Sequence, residues 1–467
     1  MNKLALVAAA VLVLVLLAAP GIVGWSTEAR VRERVAAIDA SPTAAAAVTA
    51  FDRGWFRSTA RIELTLVPDN VGQLADVAAS LGPFAALPIT VDFAHGPIAV
   101  LDGVHFGWSK MIARPDTAAP GITELQQTLG VPYLFEFRGR TGYLGALDFG
   151  ADVPPFELPL DEALLTFAGA TVEGTFVRSH IDADARIGSA DFTTPTGAVA
   201  IRGVYASADN ELRSEYVMPG EASFSIERVT VSDSAQVSTP AFEVVNLKMQ
   251  SNVALDASNE LLEMRVNYDI DSVRVAENEV TAGALGLTLR NIDVAALEAY
   301  SAAAADAAAA GAEPATIVAA LGPHLDRALK AGPSLTLDPL RFLYDGEPFA
   351  GRIGITANPQ RLPPAGTLTF DNPLLMLGLV TADAELRISK ALATKLSVLA
   401  ARMQLGNDGG VPPDQLDYMA EAQSGLMLTM LIGQGVLIED GDGYRSSLAL
   451  KDGTVTLNGN PLPFGLQ

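Results

Sequence analysis

The feature that most narrows the fold of this chain is a two-residue beat in its hydrophobicity. Ile62, Leu64 and Leu66 alternate with Arg61, Glu63 and Thr65, and the beat returns in four longer runs. These are "GAVAIRGVYASA" (Gly197–Ala208), "EASFSIERVTVS" (Glu221–Ser232), "FEVVNLKMQSNVAL" (Phe242–Leu255) and "LLEMRVNYDIDSVRV" (Leu261–Val275). Successive side chains on a strand point to opposite faces, so each run has an apolar and a polar side. Polar turn clusters such as "SADNE" and "DASNE" separate several of them. Strands punctuated in this way predict an antiparallel meander. No strand–helix–strand rhythm is visible, and no glycine-rich phosphate loop stands between a strand and a helix.

Helical patterns interrupt the strands. Val71–Leu81 reads as a short helix, and Asn291–Lys330 as an alanine-rich helical hairpin broken at Gly311–Pro314. Ala384–Leu405 and Pro413–Leu431 form a second pair across "GNDGGVPP". In its second member Leu416, Met419, Gln423, Met427 and Leu431 recur at helical spacing. The chain closes on a hairpin, Tyr444–Leu450 and Thr454–Leu457, with Asp452-Gly453 as its turn.

The N-terminus adds a second constraint. Leu4–Trp25, "LALVAAAVLVLVLLAAPGIVGW", holds 22 residues without a charge. At about 1.5 Å per residue such a helix reaches roughly 33 Å, the thickness of a bilayer's hydrocarbon layer. Trp25 ends the run at an interface position that tryptophan favours. A cleaved signal peptide is the rival reading, with an apolar region of about 7–15 residues ahead of small residues. "AAPG" (Ala18–Gly21) offers those, but Pro20 spoils the best placements, so the expectation is an uncleaved single-pass anchor. Ser26–Asp39 then reads as a helical stalk, with Ser26 or Thr27 as N-cap and Ser41-Pro42 as its end. Lys3 precedes the run, while Arg30, Arg32 and Arg34 follow it beside Glu28 and Glu33, so charge alone leaves orientation open. A large acidic body translocates largely regardless of its own charge, which places it outside the cytoplasm.

The chain carries 54 acidic against 31 basic residues, a net charge of −23. Nucleic-acid binding needs a cationic footprint, and none is present. The absence of cysteine excludes disulfides, thiolate nucleophiles and cysteine-ligated metal sites. No cofactor is expected.

One stretch concentrates unusual residues, "FDRGWFRS" (Phe51–Ser58). Gly54 would permit a bend with positive φ, with Trp55 and Phe56 burying on opposite sides of the strand that begins there. Arg53 and Arg57 would pair with nearby acids or cap exposed carbonyls; a ligand-clamping arginine is the competing reading. Together with "AHGPI" (Ala94–Ile98) and "DGTVTLNGNPLP" near the end, this stretch resembles the YdgA-like family of bacterial membrane-anchored envelope proteins of unknown function. The resemblance covers nearly the whole chain and rests on Arg53, Gly54, Phe56 and Ser58, then His95, Gly96 and Pro97. It implies a bacterial inner-membrane anchor with the body in the periplasm, and it implies no mechanism. A further likeness to envelope proteins with lipid-bearing grooves is one of fold only.

The expected architecture is therefore α+β and β-dominated: an N-terminal transmembrane helix, then a large curved antiparallel sheet with helical hairpins near 291–330 and 384–431. Its parts are an anchor or signal (1–25), a stalk (26–40), a β-rich region (41–290), an alanine-rich hairpin (291–335), and C-terminal strands with a helix pair and terminal hairpin (336–467).

Few residues suggest chemistry. His95 and His105 lie near Asp92, Asp102 and Trp108, but His180 and His324 are distant in sequence, so a third imidazole for a metal is missing. His95 before Gly96-Pro97 suits a bond to the turn's backbone. "EDGDG" (Glu439–Gly443) lacks the terminal bidentate glutamate of a calcium loop and reads as an acidic turn. The expectation is thus a non-enzymatic binding or scaffold protein whose sheet holds a lipid or other apolar guest. The alternative is an envelope assembly protein acting through protein contacts, as a homo-oligomer packed through Ala295, Ala299 and Ala303. Trp55 is grouped with the motif residues, and all of them are expected to be structural.

Overall fold

The computed structural model describes residues 23, 26–36, 38–39, 44–66, 86–119, 121–160, 162–214, 216–233, 240–309, 322–362, 378–407 and 413–462. Two units emerge, Met1–Leu212 and Arg213–Gln467. The boundary falls inside the 41–290 stretch that the sequence presents as one β-rich region.

The first unit opens with a helix, α1, over residues 26–36. Ser26 and Thr27 are not its N-cap: both hydroxyls donate back to the carbonyl of Val23, at 2.9 and 2.8 Å. That is the habit of hydroxyls already inside a helix, and Val23 is itself helical. The strands are β1 (Ala44–Arg53), β2 (Arg57–Leu66), β3 (Ala86–His95), β4 (Ile98–Val100), β5 (Val104–Phe106) and β6 (Ser109–Pro115), then helix α2 (Ile122–Leu129). They continue as β7 (Glu136–Thr141), β8 (Leu147–Val153), β9 (Phe156–Leu160), β10 (Ala163–Phe167), β11 (Ala170–Val177), β12 (His180–Thr194) and β13 (Gly197–Glu211). Antiparallel pairing runs β1–β2–β3–β6–β7–β8–β11–β12–β13. The 15-residue β12 is long enough to pair with β11 and then β10 along one edge. β4 and β5 form a separate two-stranded ribbon.

Register explains the core. Ala60 faces Val91, Ser58 faces Phe93, and Phe93 faces Met111, so these side chains share one side of the sheet. Val31 of α1 packs there, over buried Ala60, Val91 and Phe93. β1 is alanine-rich, "AAAAVTAFDR", and its weak alternation conceals it in the sequence.

The second unit contains β14 (Gly220–Ser232), β15 (Phe242–Leu255), β16 (Leu261–Val275) and β17 (Asn278–Asp293), then helices α3 (Val294–Ala309) and α4 (Gly322–Lys330). It continues with β18 (Ser334–Tyr344), β19 (Glu347–Ala357), β20 (Val380–Ser389), α5 (Lys390–Asn407), α6 (Pro413–Gly433), β21 (Ile438–Asp440), β22 (Gly443–Lys451), β23 (Thr454–Leu457) and β24 (Asn460–Pro461). Neighbours β14 to β20 pair antiparallel in chain order, β20 pairs with β22, and β22 with β23.

Two helix boundaries differ from the sequence expectation. Residues 384–389 belong to β20, because Ala384, Leu386 and Ile388 pair with Ile353, Gly351 and Phe349 of β19. The helix starts at Lys390, where the Ser389 hydroxyl accepts from Leu392 N at 3.0 Å. Likewise β17 runs to Asp293, whose carboxylate accepts from Ala296 N at 2.8 Å and starts α3 at Val294 rather than Asn291. The expected helix at Val71–Leu81 and the break at Gly311–Pro314 lie outside the described residues, as does Leu4–Trp25 apart from Val23. No described helix is long and apolar enough to cross a membrane.

The Asp452-Gly453 turn has φ of 57° and 75°, the left-handed pair that a two-residue hairpin requires. Gly453→Ala should cost about 1–2 kcal/mol in that backbone region. Hydrogen exchange should report faster amides in β22 and β23 only; unchanged protection would refute the assignment of the turn as the local clamp.

Candidate functional site

Gly54–Phe56 form the turn between β1 and β2. Gly54 is required by crowding rather than by positive φ: a Cβ there would lie 2.3 Å from the Arg57 carbonyl oxygen. Trp55 and Phe56, expected to bury, are 57% and 53% exposed. The β1–β2 ladder ends at the Arg53–Ser58 pair, so both rings project beyond the ladder that would cover them. Arg53 pairs with Glu28 of α1 at 3.5 Å, and Arg57 donates to the Val100 carbonyl at 2.7 Å.

Behind the turn sits a buried polar tie. Ser58 Oγ and His95 Nε2 are 2.8 Å apart, with the two residues 2% and 1% exposed. His95 stacks on Phe93, and its backbone N–H donates to the Phe56 carbonyl at 2.8 Å. The imidazole thus bonds a side chain across the ladder, not the backbone of its own turn. Its Nδ1 is buried without a partner among the described residues, and burial lowers its pKa from 6.5. The distance suits a hydroxyl nucleophile and its base, but no acceptor orients Nδ1 among the described residues and neither side chain opens to solvent. The pair lies buried beside Phe93.

The rest of the motif completes the corner. Gly96, at φ 110°, donates to the Trp108 carbonyl at 3.0 Å, and the Pro97 carbonyl accepts from Gly107 N at 3.3 Å and from the Tyr143 hydroxyl. His105 Nε2 lies 3.3 Å from the Thr141 carbonyl. His95 and His105 each have their own partner, and no group of three His, Cys, Asp or Glu that could hold a metal occurs among the described residues.

Two features escaped sequence reasoning. Glu136 is a carboxylate 1% exposed, held between Arg114 and Arg138. The alternation of Glu136, Arg138 and Arg140 is the one local signal that could have pointed to a charged strand face, but the pairing with β6 does not show in sequence. Beside it a cleft of about 790 Å³ is lined by Lys110, Arg138, Arg140, Asp148, Glu173 and Asp182, with both signs of charge interleaved.

The second feature is an apolar face in the C-terminal unit. One cross-strand row runs Val266, Leu287, Leu337, Ile353, Ala384, Leu448 and Leu457. The adjacent row runs Met264, Leu289, Leu335, Ile355, Ala382, Leu450 and Val455. Directly opposed residues share a face, so every side chain in both rows points the same way and is apolar. Val266 and Leu450 are buried, yet Ile353, Ile355 and Leu448 are 36%, 39% and 41% exposed.

Removing the Ser58 hydroxyl leaves both imidazole nitrogens unpaired, so Ser58→Ala should destabilise by about 1–3 kcal/mol in chemical denaturation. A lowered histidine pKa means that the unfolded state binds the proton first as pH falls. His95 therefore contributes stability that is intact above 6.5 and lost as pH falls from 6.5 toward its folded value. His95→Phe should flatten that part of the stability–pH curve; an unaltered slope would exclude His95 as its source.

Residues 1–464 match the family described as "Bacterial protein of unknown function (DUF945)". No curated protein and no solved structure matches. The motif corner, the buried tie and the apolar rows thus sit in a chain that belongs to the DUF945 family of bacterial proteins.

Proposed function

We propose that this chain is a single-pass, membrane-anchored periplasmic protein that acts by binding rather than catalysis, its C-terminal sheet holding the acyl chains of a lipid. The observation that carries this reading is the pair of apolar rows crossing seven strands, with exposed members at Ile353, Ile355 and Leu448. A solvated sheet face ordinarily alternates to polar residues, and water gains nothing from contact with this one. An alkyl chain laid across it would remove apolar area worth about 25 cal/mol per Å². The Met-rich helix α6 adds adaptable apolar surface, with Met419 and Met430 40% and 54% exposed. The uncharged Leu4–Trp25 run and the family resemblance support the anchor and its location.

Full-length protein purified in mild detergent should carry lipid recoverable by organic extraction at a fixed ratio, and an anchor-deleted chain should keep it. Ile353→Gln combined with Ile355→Gln changes exposed positions, for which stability effects are usually within about 0.5 kcal/mol. The double variant should fold normally and lose the lipid. Lipid lost only on deleting the anchor would identify it as annular and refute the reading. Protein free of lipid but bound to a second copy or another protein would favour an assembly role.

A further inference from the structure

The N-terminal unit carries an apolar surface of a different kind. β4 and β5 pair as Ile98↔Phe106, Ala99↔His105 and Val100↔Val104. Ile98, Val100, Val104 and Phe106 therefore share one side of the ribbon, and Ala99 and His105 the other. Ala99 is fully buried, whereas the four apolar residues are 49%, 49%, 62% and 67% exposed. The ribbon turns its polar-containing side inward and its apolar side to solvent, the reverse of an ordinary surface hairpin.

Other exposed apolar side chains gather around it. Trp55 and Phe56 occupy the β1–β2 turn, tied to the ribbon through Arg57 and the Val100 carbonyl. Trp108 meets Tyr143 edge-on at 5.8 Å, and Leu144 beside it is 99% exposed. Clustered exposed apolar side chains, unlike singly scattered ones, mark interaction sites.

The chain's own path says what covers this patch. Glu28, near the start of α1, pairs with Arg53 beside the β1–β2 turn, while Asp39 beyond its far end accepts from Ala46 N at 3.1 Å near the start of β1. α1 thus runs antiparallel to β1, and its beginning lies at the end of the sheet that bears the patch. Immediately upstream is the uncharged Leu4–Trp25 run. The start of α1, which follows that run in sequence, and the exposed aromatic rings lie at one end of one unit.

We infer that this end is a lipid-contacting foot: the β4–β5 ribbon, with Trp55, Phe56, Trp108 and Tyr143, inserts into the interfacial layer of the membrane that holds the anchor. The inference rests on the anchoring reading. Tryptophan and tyrosine favour that layer because their rings are apolar with one polar edge. Arg53 and Arg57 place cationic side chains at lipid headgroup level in a chain whose net charge is −23. Two attachments, a span and a rigid apolar foot, fix the unit's tilt where a span alone leaves it free.

The three tryptophans of the chain, Trp25, Trp55 and Trp108, make the test direct. Full-length protein is reconstituted in phosphatidylcholine nanodiscs containing lipids brominated either near the headgroup or near the acyl terminus. Three double variants leave one tryptophan each: W55F/W108F, W25F/W108F and W25F/W55F. The foot requires Trp55 and Trp108 to be quenched strongly by shallow bromines and weakly by deep ones. Replacing exposed Val104 and Phe106 by Ser should abolish that quenching while circular dichroism stays unchanged. Quenching of Trp25 alone would overturn the foot and leave the anchor standing. If no tryptophan is quenched, the anchor falls with it. Trp55 or Trp108 shielded from acrylamide but not quenched by bromine would place a protein surface there instead of lipid, and would equally overturn the inference.

Discussion

Register in the antiparallel ladders is the constraint on which the rest of this structure depends. A strand's faces alternate with period two, so a slip of one residue would exchange every apolar for every polar side chain. Seven strands of the C-terminal unit hold their leucines and isoleucines on one side only because Leu287 faces Leu337 and Leu337 faces Ile353. In the N-terminal unit the same rule puts Ala60, Val91 and Phe93 beneath α1, and Glu136 beside Arg138 on the opposite, charged side.

The two units use that rule to different ends. In the first, a helix supplies the apolar partner: Val31 closes over the small cluster at β2 and β3. The buried Ser58–His95 tie and the crowded Gly54 then stiffen the turn that carries the exposed rings. In the second, the apolar rows combine buried Val266 and Leu450 with exposed Ile353, Ile355 and Leu448. Those exposed members underlie the proposal that a guest completes the face.

Much of this was legible in the sequence, because period-two alternation and Asp-Gly turns are local signals. The long strands β13 to β16 and the terminal hairpin follow from them. Failures came where tertiary contacts override local preference. "AELRIS" suits a helix, but pairing of Ala384 and Ile388 with β19 holds it as a strand until Ser389 caps α5. Alanine-rich β1 carries little alternation and is held by its partner β2. The motif stretch lies between β1 and β2, yet its aromatic rings are exposed, since burial is fixed by what lies across a turn. Glu136 could not be singled out among so many acids, because its burial arises from Arg114 on another strand.

The most direct measurement is photocrosslinking with a phospholipid carrying a diazirine in its acyl chain, applied to the full chain in vesicles and followed by peptide mapping. Adducts on β17, β18 and β19 at Leu287, Leu337 or Ile353 are the expected result, with none on the polar side of those strands. Labelling confined to residues 4–25, or distributed without regard to strand face, would contradict the account.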